Sequence, residues 1–142
     1  MVMKMDIGIS DKDRKAVAAG LSNLLADTYT LYLKTHSFHW NVEGPMFQTL
    51  HIMFMEQYTE MWNALDIIAE RIRSLGHYAP GTYSEISKLT SIKESKSIPK
   101  ANKMIEEAII GHETVIKTIR VIFEAAEKAK DQTTMDVLTQ RL

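Results

Sequence analysis

Apolar residues recur every three or four positions along most of the chain, the spacing of helices with one buried face. Val17, Leu21, Leu24, Leu25, Thr28, Leu31 and Tyr32 mark a first helix. Ser10 followed by Asp13 forms a capping-box-like start, with Asp in place of the usual Glu. This helix should run to about His39, and Asn41-Val42-Glu43-Gly44 makes a turn. Pro45 suits the first turn of a second helix, which meets no breaker before Leu75, and Gly76 is a natural residue just past its end. Such a helix would be about 46 Å long at 1.5 Å per residue.

From His77 to Lys96 the periodicity lapses. Pro80-Gly81 and several hydroxyl residues predict a long connection with a short helix near Tyr83–Leu89. Pro99 opens a third long helix whose stripe is Met104, Ile105, Ala108, Ile109, His112, Val115, Ile116, Ile119, Ile122 and Phe123, ending near Lys130. His112 reads as a core histidine on that stripe. Thr133 or Thr134 caps a fourth helix carrying Val137, Leu138 and Leu142. The expected fold is an all-α, ferritin-like four-helix bundle with a short extra helix in the long connection between the second and third helices. Residues 1–142 read as one domain, with a fourth helix short enough to suggest truncation at the C-terminus.

Composition narrows the function classes. With no cysteine, disulfides, thiolate metal sites and cysteine nucleophiles are excluded. A net charge of -1 makes no demand for nucleic acid or anionic lipid. The chain lacks a secretory-type start and any apolar run of about 18 residues, so the expectation is a soluble cytoplasmic protein with no membrane contact. No organic cofactor is expected.

The candidate chemistry lies on the first two helices. His39 and His51 stand six residues either side of Pro45, so an antiparallel pair of helices brings them to one level. Asp66 and Glu70, four apart, share a helix face. Imidazole with carboxylate is a ligand set for divalent iron or manganese. His51 and Asp66 are 15 residues apart on one helix, about 22 Å, too far for one metal. A two-fold antiparallel pairing of that helix with its own copy, centred near residues 59 to 60, would bring them together as two identical intersubunit sites. The competing reading is that the histidines pack or cap, and that Asp66 and Glu70 pair with Arg71 or Arg73. Trp40, Tyr58 and Trp62 nearby read as core, an interface or a redox-protective shell being the other roles.

The run H-S-F-H-W-N-V-E-G-P-M-F-Q-T-L-H (His36–His51), then D-I-I-A-E-R-I-R-S-L-G (Asp66–Gly76), A-P-G-T-Y (Ala79–Tyr83) and T-S-I-K-E (Thr90–Glu94), resembles the Dps family of miniferritins. The resemblance covers the chain from about residue 13 onward. It implies a hollow dodecamer that oxidises Fe(II), preferably with hydrogen peroxide, and stores ferric iron, protecting against oxidative stress. It places the ferroxidase ligands His39 and His51 on one chain and Asp66 and Glu70 on the other. It also implies a carboxylate four residues after the second histidine, where this chain has Met55. A thioether is a poor ligand for iron, and Glu56 next to it points about 100° away. The alternative is therefore a structural or DNA-associated cage with a degraded ferroxidase centre.

Some members of the family bind DNA through a basic tail. Here Lys4, Lys12, Arg14 and Lys15 alternate with Asp6, Asp11 and Asp13, so weak DNA binding at most is expected. Asp131 and Asp136 resemble residues lining the family's cation pores, and helix capping explains them equally. His36 reads as a packing or hydrogen-bonding residue.

Overall fold

The computed structural model describes residues 3–142. It contains α1 (Asp11–Asn41), α2 (Phe47–Ser74), α3 (Tyr83–Leu89), α4 (Ala101–Lys128) and α5 (Gln132–Arg141), and no strand among the described residues. The helices α1, α2, α5 and α4 each pack against the next in a closed ring, and α3 lies against α1. A cluster including Leu21, Leu24, Ile68, Ile72, Ile119 and Leu138 fills one half of the bundle. Phe38, Leu50, Phe54 and Met104 fill the end where α1 hands over to α2. Because α4 begins at that same end, α2 and α4 run parallel, and the connection between them traverses the bundle's length. No helix among the described residues is long and apolar enough to cross a membrane.

Local chemistry sets the helix ends. The Ser10 hydroxyl accepts from the Asp13 N–H at 3.1 Å, and Asp11 and Asp13 favour the positive end of the helix dipole. The turn expected at residues 41–44 extends two residues further. Gly44 at φ +106° accepts from the Phe47 N–H, and regular helix starts only at Phe47. Gly76 at φ +88° closes α2. Its N–H reaches the Arg73 carbonyl and the His77 N–H reaches that of Ile72, the two bonds of a Schellman motif.

The same motif ends α4, but with Lys130 in the left-handed position at φ +53°. The α5 cap is therefore Asp131, not Thr133 or Thr134. The Asp131 carboxylate accepts from the Thr134 N–H at 3.0 Å, and Arg71 of α2 pairs with it at 2.8 Å. Asp131 is 2 % exposed, so its role is capping and tethering, and only Asp136 of that acidic pair is exposed.

The long connection is clasped from within. Asp27, fully buried on α1, accepts from the Thr90 hydroxyl (3.0 Å), the Ser91 N–H (2.6 Å) and the Thr118 hydroxyl (2.6 Å). Three donors satisfy a carboxylate that forms no ion pair among the described residues. Gly111 of α4 faces Leu31 of α1 with no room for a Cβ between them, so the two helices approach closely there.

Candidate metal centre

The short α1–α2 turn stacks His39 on His51, with ring centroids 3.7 Å apart and planes 14° from parallel. Each Nδ1 lies 2.7 Å from the other residue's backbone carbonyl. A carbonyl only accepts, so both Nδ1 atoms donate, and Nε2 is the ring atom of each histidine left to meet a metal. Carbonyl clamps of this kind fix tautomer and ring orientation in metal-ligating histidines. Phe47 stacks on the outer face of His51 at 5.0 Å.

Asp66 and Glu70 are exposed and, among the described residues, take part in no side-chain hydrogen bond or ion pair. The arginines that could have neutralised them are engaged elsewhere. Arg71 holds Asp131 and Thr134, while Arg73 reaches the His77 carbonyl and lies over the Tyr78 ring. Within one chain the carboxylates do not join the histidines, and no cluster of three or more metal-ligating side chains forms among the described residues. His51, Asp66 and the 14 residues between them all belong to the continuous helix α2.

Both halves nevertheless share one face. At about 100° per residue, His51, Met55, Trp62 and Asp66 fall within about 60° on α2, with Thr59 and Glu70 at the edge of the sector. The buried Phe54, Met61, Leu65, Ile68 and Ile72 centre about 100° away round the helix, toward the bundle. The shared face is apolar and open. Ile52 is 41 % exposed, Met55 40 % and Trp62 56 %.

Trp40 and Trp62 are thus exposed, correcting the expectation that they sit in the core. They belong to an aromatic group that periodicity alone did not reveal. Tyr32 hydroxyl and His36 Nδ1 lie 3.0 Å apart. His36 stacks on Tyr58 at 4.0 Å and against Trp40 at 4.2 Å, and Tyr32 meets Trp62 at 5.3 Å. Partial burial raises the Tyr32 phenol above its ordinary value, with Tyr29 and Tyr58 adding to the shift. Desolvation lowers the His36 pKa, with His39 adding to it, so this imidazole is neutral near pH 7. The i, i+4 spacing of Tyr32 and His36 was the available signal. His112, by contrast, is exposed and not in the core.

The cationic residues near the N-terminus are partly committed. Arg14 is 7 % exposed and donates to the Leu75 carbonyl at 2.9 Å, pairing also with Asp11, and Lys4 lies 3.6 Å from the same Asp11.

Residues 18–142 match the sequence model of the ferritin-like domain. A DNA protection during starvation protein from Brevibacillus brevis is 35 % identical over 125 residues, covering 88 % of this chain and 84 % of that protein. An uncharacterised low temperature-induced protein from Nostoc sp. is 36 % identical over 138 residues, 96 % of this chain and 77 % of that protein. Among solved structures, the Dps protein of Vibrio cholerae O1, described as one of the ferritin-like diiron-carboxylate proteins, superposes with a TM-score of 0.92 at 28 % identity. The superposition covers 99 % of this chain and 89 % of that one. The Dps protein of Bacillus brevis superposes at 0.88 with 33 % identity, over 97 % and 89 % of the two chains. On fold, sequence and the resemblance carried by its motifs, this chain belongs to the Dps family of ferritin-like proteins.

Proposed function

We propose that this chain is the subunit of a cytoplasmic iron-storing cage that oxidises Fe(II), with hydrogen peroxide as preferred oxidant, and so limits iron-driven oxidative damage. In this reading the whole chain acts as one domain. The names of its relatives and the diiron-carboxylate description of the Vibrio protein support iron handling. The observation that carries the reading is the exposed face of α2, with Nε2 of His51 and of the adjoining His39 of α1 at one end and, at the other, two carboxylates that make no ion pair among the described residues.

Each iron site is then built from two chains. His39 and His51 of one subunit meet Asp66 and Glu70 of its two-fold partner, with the axis crossing α2 near Thr59. A small residue there lets the helices approach closely, and Ile52, Met55 and Trp62 supply apolar surface to cover. Iron is substrate and cargo. Carboxylate oxygens suit Fe(II) and favour Fe(III) still more, while the two imidazoles set position. The face excludes bulk water once paired, which strengthens the charge interactions at the site. Assembly into a dodecamer belongs to the same reading.

Met55 supports a site that holds one iron tightly and a second poorly. A cage serving a structural or DNA-associated role, with a degraded ferroxidase centre, is the second reading, and the same residue favours it. Anaerobic Fe(II) titration followed by stopped-flow oxidation separates the two. Tight binding near one iron per site, with peroxide-driven oxidation, supports the ferroxidase. No binding above that of a His51→Ala, Asp66→Ala double variant refutes it.

A further inference from the structure

Pairing through α2 leaves a second exposed apolar surface uncovered, across the bundle from it. The helices pack round the ring in the order α1, α2, α5, α4, so α4 stands diagonally opposite α2. Its inward side carries Met104, Ala108, Val115, Ile119, Ile122 and Ala126. Its outward side carries Ile109, Ile110, Ile116 and Val121, all exposed, Ile110 by 59 % and Val121 by 68 %. Single exposed aliphatics are ordinary, but four on one helix face within about three turns form a patch. Charged residues lie among them. The ion pairs of α4 among the described residues are Lys103–Glu106 and Lys34–Glu107. Glu113, Lys117, Arg120 and Glu124 are exposed and join no ion pair among those residues, although each Glu stands four positions from a cation.

At about 100° per residue, Ile110 and Val121 share one edge of this face and Glu113 and Arg120 the other, with Lys117 between them. The same four residues also match in height. A two-fold axis crossing α4 at the level of Ile116 sets Ile110 against the partner's Val121 and Glu113 against the partner's Arg120, each contact made twice. Lys117, close to that axis, lies near Glu113 of both chains. One register thus joins apolar to apolar and acid to base.

We propose that α4 is a self-association surface, occupied by α4 of a second copy running antiparallel to it. That copy is not the α2 partner, because one chain cannot cover two diagonally opposite helices. The aliphatic surface covered is on the order of 800 Å² over both chains, below the roughly 1,200 Å² at which stable interfaces begin. So small a contact does not hold a permanent assembly together; it joins completed ones reversibly. This step rests on the cage reading. A cage of many subunits presents the α4 face many times, and weak contacts made several at once gain avidity. The Glu113–Arg120 pairs are exposed, so salt screens them and the association falls as ionic strength rises.

The chain has no cysteine, so an introduced disulfide reports the register. An Ile110→Cys, Val121→Cys double variant, mildly oxidised as the assembled protein, should run as a covalent dimer in denaturing electrophoresis. Along one α4 the two positions are about 16 Å apart, too far for a bond within the chain. Each single variant should cross-link several-fold less, since like positions across the axis are about 15 Å or more apart. In sedimentation velocity at low salt, wild type should form species heavier than its base unit as concentration rises, and lose them at high salt. Glu113→Arg and Arg120→Glu should each abolish the heavier species, and the two combined should restore them. All three should keep the base unit and its anaerobic Fe(II) binding. No covalent dimer in the double cysteine variant, or heavier species that survive both charge reversals, overturns the proposal. A covalent dimer without any species heavier than the base unit places the contact inside the assembly and overturns it as well. A base unit smaller than a cage refutes the cage reading separately, and the disulfide still decides the α4 contact.

Discussion

A site shared between chains can be tested by complementation. The perturbations are His51→Ala in one preparation and Asp66→Ala in another. The two positions are 15 helical steps apart on α2, about 22 Å, whereas two ligands of one metal lie only a few ångströms apart. Neither substitution should unfold the bundle. Asp66 is exposed, and His51 is outside the core and gives up a hydrogen bond worth about 1 kcal/mol. Each variant alone should lose tight Fe(II) binding, because every two-fold dimer then lacks a ligand at both sites. After dissociation and reassembly of an equal mixture, about half the dimers carry one variant of each kind, if pairing is random in an isologous dimer. Such a dimer combines the intact His51 of one chain with the intact Asp66 of the other at one site, and both losses at its second site. Tight binding should therefore return to about one quarter of the wild-type capacity. The assay is equilibrium dialysis of Fe(II) under argon, with native mass spectrometry to confirm mixed dimers. Mixed dimers that bind no more than their parents would refute the two-chain geometry. So would a monomer retaining full affinity.

Further predictions follow from individual residues. Met55→Glu should raise the anaerobic Fe(II) count per site from one toward two and speed oxidation, since it returns an oxygen ligand to the face of His51; an unchanged titration endpoint would show that Met55 only packs. Lys130→Gly should stabilise the fold by about 1 kcal/mol in urea titration, because Lys130 occupies the left-handed region at φ +53° where glycine carries no Cβ penalty. Asp27→Ala should cost roughly 1–3 kcal/mol, as it takes the acceptor from the partly buried Thr90 and Thr118 hydroxyls and the Ser91 N–H; protease digestion should then cut first in the connection around Thr90. DNA binding in gel-shift titrations should be weak and lost by physiological salt, with a shallow log–log salt slope, because Arg14 and Lys4 already face Asp11.

Helix number, the position of the long connection and the candidate ligands were legible along the chain because each rests on local spacing. A 3.6-residue period declares α1, α2 and α4 whatever they pack against. Gly76 marks its helix end through a backbone conformation that favours glycine. Helix rise alone also says that a metal held by both His51 and Asp66 would need a second chain, since the two cannot approach along one rigid helix.

What the linear pattern could not decide was pairing between distant segments. Asp131 as the α5 cap depended on Lys130 taking a conformation that lysine seldom adopts, and on Arg71, 60 residues earlier, arriving beside the carboxylate. That arrival left Asp66 and Glu70 without the arginine partner that the sequence alone also allowed. Asp27 reads as one more polar residue until the connection folds back and supplies three donors to it. Trp40 and Trp62 carry the hydrophobicity of core residues, yet α1 turns Phe38 inward and α2 turns Phe54, Met61 and Ile68 inward, and both tryptophans are left exposed. Hydrophobicity states that a side chain gains from leaving water. Only the packed arrangement decides whether its own chain or another surface provides the cover.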